Sequence, residues 1–309
     1  MKYYLGVDTS NYTTSLALCD EEGRIIKNCK KLLPVKQGEK GLRQSDAVFA
    51  HTVNLPIVAK ELGTADITAV GYSAYPRDIE GSYMPCFLCG KAYAESLAAL
   101  LDIPVYGFSH QRGHIRAALY SAGAEELLGK EYLAFHVSGG TTEILHVKDG
   151  AIELIGGSRD LTAGQAIDRV GVMLGFSFPC GAELENECKR VTSPIKPKIS
   201  VKGLECHFSG LENLAKKLWV EGGANGTRKK VAAYTIEFVL MTLDKMTENL
   251  TALYPGLPIV YSGGVMSNKK IKKHFTDKYN AYFAAPEFSS DNAAGTALLC
   301  LDKYKRDVL

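Results

Sequence analysis

No apolar run in these 309 residues approaches the ~18–20 that a membrane-spanning helix needs. Met1-Lys2-Tyr3-Tyr4 leads straight into strand-like sequence, without the basic segment and apolar core of a secretory leader, so a cytoplasmic location without a membrane is expected. Excess charge is missing too. The 36 Lys+Arg against 34 Asp+Glu leave +2, which argues against a dedicated nucleic-acid binder and leaves room only for local basic patches. Eight cysteines are too dilute for a disulfide scaffold. Cys86-x-x-Cys89 has no second CxxC to join it, Cys180, Cys188 and Cys206 follow no ligand spacing, and the pair opens an apolar helix, so it reads as packing. No GxxxxGK[ST] occurs, which excludes a Walker-type NTPase, and no HExxH, which takes the glutamate from a zinc-protease reading. What is present is ordinary globular material, 46% hydrophobic and 23% charged. It suffices for two domains, each with its own core.

Those two domains look related. Tyr4–Leu18 and Tyr132–Leu145 both read strand, short hydroxyl-rich turn, strand. An offset of 128 residues aligns Tyr4 with Tyr132, Leu5 with Leu133, Ser10 with Ser138, Thr13 with Thr141 and Thr14 with Thr142. Each copy then passes an acidic or glycine turn into a third short strand. Shared turn chemistry alone would match two unrelated hairpins, but the long common register favours duplication. After each meander, helical and apolar strand segments alternate. In the first half they are helices at 45–62, 85–101 and 110–122 with strands at 67–73 and 104–108. In the second, a helix at 163–174 is followed by a long irregular stretch to about Gly210. Helices at 211–220 and 227–253, a strand at 258–261, a helix at 268–280, a strand at 281–283 and a last helix at 291–304 complete it. The pattern is α/β with a mixed sheet in each half. No Pro- or Ser-rich linker separates the halves, so a cleft between them is the expected ligand site.

His110-Gln111-Arg112-Gly113-His114 puts two imidazoles four residues apart, on one face of a helix and at the carboxyl edge of a sheet. That spacing suits a shared metal if a third ligand arrives. Alone it reads first as a solvated or core pair of histidines. Asp291, before the last helix, is a candidate third ligand and equally a candidate helix cap. Glycine turns follow strands at Ser138-Gly139-Gly140, Cys180-Gly181 and Ser262-Gly263-Gly264. Such turns let a backbone approach a phosphate closely, and with Asp168 and Asn268 nearby for hydroxyls they suggest a nucleotide. The basic clusters at 227–230 and 268–274 fit phosphate contacts but read first as solvated helix faces.

Thr9-Ser10, His110–His114, Val137-Ser138-Gly139-Gly140, Ala163–Val170, Phe208-Ser209-Gly210-Leu211, Gly263–Asn268 and Asp291-Asn292-Ala293-Ala294 occur in the order and approximate spacing of one family. Over nearly the whole chain the sequence resembles the tRNA threonylcarbamoyladenosine synthases, the TsaD-like family formerly called glycoproteases. The resemblance implies the ASKHA (actin-like ATPase, RNase H-like) fold, two duplicated lobes with mixed sheets around a central cleft. Residues 1–122 would form the first lobe and 123–309 the second, the helix at about 291–305 closing the cleft. It implies a divalent iron or zinc on His110, His114 and Asp291. Threonylcarbamoyl-AMP or another adenine nucleotide would lie on His136, Val137, Ser138, Gly139, Gly140, Asp168, Gly181, Glu185 and Asn268, Glu185 standing where the family usually has Asp. The activity implied is transfer of a threonylcarbamoyl group from the adenylate to tRNA adenosine, in a complex with a degenerate relative and an ATPase subunit.

The departures cluster on the acceptor side. Where the family runs Cys-Asp-Glu after Thr-Ser, this chain has Asn11-Tyr12-Thr13, without a carboxylate. Ser-Gly-Gly-His-Thr has become Ser138-Gly139-Gly140-Thr141-Thr142, and a Gly-Pro-Gly-Leu loop has become Glu80-Gly81-Ser82-Tyr83. The pattern is that of a divergent paralogue with no identified general base. Carbamoyl transfer to another acceptor and a non-catalytic adenylate-binding subunit are the rival readings. A sugar or acetate kinase on the same fold would have only Asp8 as its carboxylate.

Overall fold

The structure, a computed structural model, describes residues 2–10, 12–34, 42–189, 191 and 195–308. It divides into two compact units, one running up to Ser121 and resuming at Glu287, the other Ala122–Pro286.

The first unit opens with β1 (Tyr3–Asp8), β2 (Thr13–Asp20) and β3 (Ile25–Leu32), then α1 (Gln44–Leu62), β4 (Ile67–Tyr75), α2 (Phe87–Leu101), β5 (Val105–Ser109) and α3 (His110–Ser121). The sheet order is β3-β2-β1-β4-β5, antiparallel through the meander and parallel from β1 to β4 and β5. β1 and β2 are buried along almost their whole length, as central strands covered on both faces must be. Cys86 packs with Leu33, Ala47 and Phe87, and Cys89 donates its S–H to the Val48 carbonyl, so both cysteines of the CxxC pack as expected.

The second unit repeats the plan with β6 (Tyr132–Val137), β7 (Thr142–Lys148), β8 (Ala151–Ser158), α4 (Ala163–Met173), α5 (Gly181–Cys188), β9 (Ser200–Lys202), β10 (Glu205–His207), α6 (Gly210–Glu221), α7 (Arg228–Leu253), β11 (Ile259–Ser262), α8 (Lys269–Lys278) and β12 (Ala281–Phe283). Its order, β12-β11-β6-β7-β8-β10-β9, contains the first sheet's order and adds a hairpin at one edge. The duplication extends to register. Leu5 opposes Leu18 and Asp8 opposes Ser15 in the first meander, Leu133 opposes His146 and His136 opposes Glu143 in the second, each shifted by the same 128 residues. The stretch expected to be irregular before Gly210 holds α5 and the β9–β10 hairpin, elements too short to carry a periodic signal.

The chain ends in α9 (Pro286–Ser289) and α10 (Ala294–Val308). Assigning the last helix to the second half needs correction, because α10 packs on β1, β2, β4 and α3 of the first unit. A Cβ on Gly6 of β1 would lie 2.3 Å from the Ala293 carbonyl oxygen, so the strand needs glycine there for the segment entering α10 to approach. Among the described residues no helix is long and apolar enough to cross a membrane.

Candidate functional site

Strand β5 hands the chain directly to α3, whose first residue is His110. His114 follows one turn later on the same face, and the rings meet edge to face with centroids 4.2 Å apart. Gly113 lies between them for a steric reason. A Cβ on Gly295 of α10 would lie 1.8 Å from the Gly113 carbonyl oxygen, and one on Gly113 would crowd Thr296 at 3.1 Å. Two glycines thus let α3 and α10 cross almost backbone to backbone, which carries the segment before α10 up to the histidines. Asn292, not Asp291, caps that helix. Its Oδ1 accepts from the Ala294 N–H while its Nδ2 donates to the Phe288 and Ser290 carbonyls. The pinned bend leaves the Asp291 carboxylate to the imidazoles, so the capping alternative for Asp291 is not the one realised.

The two Nε2 atoms are 2.8 Å apart, and Asp291 Oδ1 lies 3.5 Å from that of His110 and 3.3 Å from that of His114. All three candidate ligand atoms fall within 4.8 Å of one another. A tetrahedral ion with bonds of about 2.0–2.1 Å sets its ligand atoms about 3.3 Å apart, so the set closes on a metal with the histidine pair opening by a few tenths of an ångström. Two imidazoles and one carboxylate, with coordination positions to spare, match both catalytic zinc and non-haem iron sites. The residues present fit such an ion.

From the sequence Asp8 reads only as a kinase carboxylate, and the structure gives it another place. It is fully buried at the end of β1, accepts from the Ser10 N–H and O–H at 3.0 Å each, and faces His110 Nδ1 at 3.3 Å. A carboxylate on Nδ1 holds the proton there and turns the Nε2 lone pair toward the candidate metal. Burial raises the Asp8 carboxyl, but the His110 imidazolium outweighs it and holds the group below its ordinary value. Burial lowers His110, and Asp8 and Asp291 overcome it, taking the ring up to about 10. His114 is lowered by burial and by the neighbouring His110. Asp291 is held well below the usual carboxylate range, its burial outweighed by both histidines.

The nucleotide candidates all lie in the second unit. The Ser138–Gly140 turn closes on itself, Ser138 Oγ accepting from the Gly140 and Thr141 N–H groups, and it rests on the start of α4. There Thr162 donates to the Gly139 carbonyl and forms a capping box with Gln165. The Ala163, Gly164 and Gln165 N–H groups are used inside the chain, whereas among the described residues the Gly139 N–H makes no hydrogen bond. Space around Gly139 and Gly181 is open. His136 Nδ1 meets Ser262 Oγ at 3.1 Å, and the Val137 side chain is fully buried, which leaves its backbone alone for any ligand. Asp168 Oδ1 accepts from the Cys180 N–H, and burial raises the carboxyl. Asn268 caps α8, and Glu185 of α5 accepts from the Lys269 N–H at the start of that helix, beside a cavity of about 450 Å³ that Glu185, Lys269 and Lys270 help to line. No hydrogen bond among the described residues joins the Ser138–Gly140 turn to Glu185 or Asn268. In the basic cluster of α8, Lys270 pairs with Glu237 and Lys273 with Asp277. Of the altered acceptor-side positions, Asn11 lies outside the described residues, Tyr12 is 37% exposed and Thr13 is 4% exposed on β2.

A profile of the family described as TsaD, tRNA N6-adenosine threonylcarbamoyltransferase, matches residues 43–298, which span all three candidate ligands. The chain belongs to the TsaD family. That family is one of tRNA-modifying transferases, so the chain is a transferase by descent. Solved structures agree on the fold alone. The (R)-2-hydroxyglutaryl-CoA dehydratase component A of Acidaminococcus fermentans is 15% identical, with TM-score 0.60 over 99% of this chain and 100% of that one. The 2-hydroxyisocaproyl-CoA dehydratase activator of Clostridium difficile is 14% identical, TM-score 0.60, over 99% and 96%. A ROK family glucokinase from Streptomyces griseus is 15% identical, TM-score 0.55, over 97% and 99%. These are ASKHA proteins, and this TsaD-family chain has their fold.

Proposed function

We propose that this protein transfers a threonylcarbamoyl group from an adenylate to the exocyclic amine of a tRNA adenosine, with a divalent iron or zinc ion held by His110, His114 and Asp291. The observation that carries the reading is the convergence of those three side chains from segments about 180 residues apart in the sequence. When bound, the ion supplies Lewis acidity at the carbamoyl carbonyl, where negative charge develops. Asp8 fixes the orientation of the His110 ring. In the second unit the Gly139 N–H and the open space beside it suit the adenylate phosphate, and Asp168, Glu185 and Asn268 suit its hydroxyls. The amine forms a C–N bond to the carbonyl, the C–O bond to AMP breaks, AMP leaves, and the amine loses a proton. Holding both reactants in place supplies much of the rate.

One observation favours a second acceptor chemistry. Tyr12 and Thr13 stand where the family's acids stand, and neither offers a carboxylate to take up a proton. Because Thr13 is buried, a glutamate there would bury a charge, and Tyr12→Asp alone is the workable restoration. The purified protein, with the degenerate relative and ATPase subunit expected as partners, is incubated with threonylcarbamoyl-adenylate and tRNA or small amines, and the products are read by mass spectrometry. Modified adenosine with AMP release supports the tRNA reading. A modified small amine assigns the alternative acceptor, and AMP-free binding without product assigns a non-catalytic subunit.

A further inference from the structure

Strand β3 lies at the edge of the first sheet, and one of its lysines reaches the segment that carries Asp291. Lys30 opposes Ser15 of β2, and Ser15 opposes Asp8 of β1. Directly opposed residues of antiparallel strands share a face. Asp8, Ser15 and Lys30 therefore form one row across three strands, roughly 10 Å from end to end at the usual strand spacing. At one end of the row Asp8 faces His110. At the other the half-buried Lys30 donates its ammonium protons to the Glu287 carbonyl at 2.7 Å and to Ser290 Oγ, one residue before Asp291, at 3.3 Å.

Those contacts fall where the chain needs them. Helix α9 spans four residues, too few to hold their own shape. The last four carbonyls of a helix have no intrahelical donor, and that of Glu287 is among them. Asn292 ties one side of the bend through the Phe288 and Ser290 carbonyls, and Lys30 ties the other. The Lys30 charge also interacts with the Asp291 carboxylate, and an ammonium there repels an incoming dication. Deleting the charge alone would therefore tighten metal binding, while deleting the hydrogen bonds would loosen it. We infer that Lys30 is a positioning residue for the candidate metal centre, holding the Asp291 segment through the end of α9 as Asp8 holds the His110 ring. The inference rests on the metal reading proposed above.

Cobalt(II) binding to the full chain, followed by chelator competition and by the visible absorption of the bound ion, tests it, because that absorption reports coordination geometry. Lys30→Met keeps most of the stem and loses the donors. It should weaken cobalt binding about tenfold, the low end of the cost of removing a group behind a metal ligand, and should alter the spectrum. Lys30→Arg still donates and should restore both. Ser290→Ala loses only the longer contact and should weaken binding by less. Lys31→Met removes the same charge from the opposite, exposed face of β3 and should change neither affinity nor spectrum. Circular dichroism shows which variants are folded. A wild-type chain that takes up no cobalt overturns the inference together with the metal reading. Wild-type binding that Lys30→Met leaves equal or tighter overturns the inference alone, as does an unchanged spectrum or a failure of Lys30→Arg to restore it. So does wild-type affinity in Ser290→Ala, which tests the same clamp should Lys30→Met not fold.

Discussion

The two meanders share strand order and register, yet the turns that leave their first strands do opposite things. In the first unit that strand ends in Asp8, sealed from solvent, bonded to Ser10 and aimed at a histidine. The equivalent position in the second unit is His136, followed by an open glycine turn that rests on the start of a helix. One topological locus therefore lies beside a candidate cation site in one copy and offers a backbone suited to an anion in the other. The scaffold supplies the place. The side chains at the strand end and the helix delivered next to it decide the charge of what can bind there.

The strongest way to break the contrast is to remove a ligand from the first unit. His114→Ala should take metal content from about one ion per chain to near zero, because a site left with two protein ligands holds metal weakly. Elemental analysis after gel filtration checks it, and unchanged stoichiometry would show the three residues are not the site. Next in size is the pair at the equivalent strand ends. Asp8→Asn should lower metal affinity about 10–100-fold, the usual cost of losing a carboxylate that orients a ligand, whereas His136→Asn should leave metal binding untouched. Competition with a chelator measures both, and equal effects would dissolve the distinction between the two turns.

Smaller effects separate the glycines. Gly295→Ala drives a methyl group into the Gly113 carbonyl and should cost about 1–3 kcal/mol of stability, as overpacking does, seen as a lower midpoint in urea. A Cβ on Gly139 meets no neighbour, so the thermal midpoint of Gly139→Ala should barely move while AMP or ATP affinity falls about tenfold for Gly139→Val, the worth of one hydrogen bond to a charged group. Calorimetry giving wild-type nucleotide affinity for Gly139→Val would remove the second turn from the site.

Much of this was readable in one dimension. Periodicity found the long helices, such as that of Arg228–Leu253, and the repeat at a fixed offset announced the duplicated sheets. The spacing of His110 and His114 already put them on one helical face. Short elements escaped, because α5 and the β9–β10 hairpin span too few residues for either period to show. Asp8 escaped as an orienting group because its partner lies about a hundred residues away in sequence, and no local pattern marks such a pairing.

What the sequence determined by itself was therefore local and periodic: which segments are helices or strands, that two halves descend from one plan, and which side chains carry suitable chemistry. Assignment of the final helix, the partner of His110 and the place of Asp291 beside the imidazoles were decided only in three dimensions. Each depends on how closely two backbones approach, and at Gly6, Gly113 and Gly295 that approach rests on a missing Cβ. In sequence such glycines look like any others, and only the packed neighbour shows why no side chain fits there.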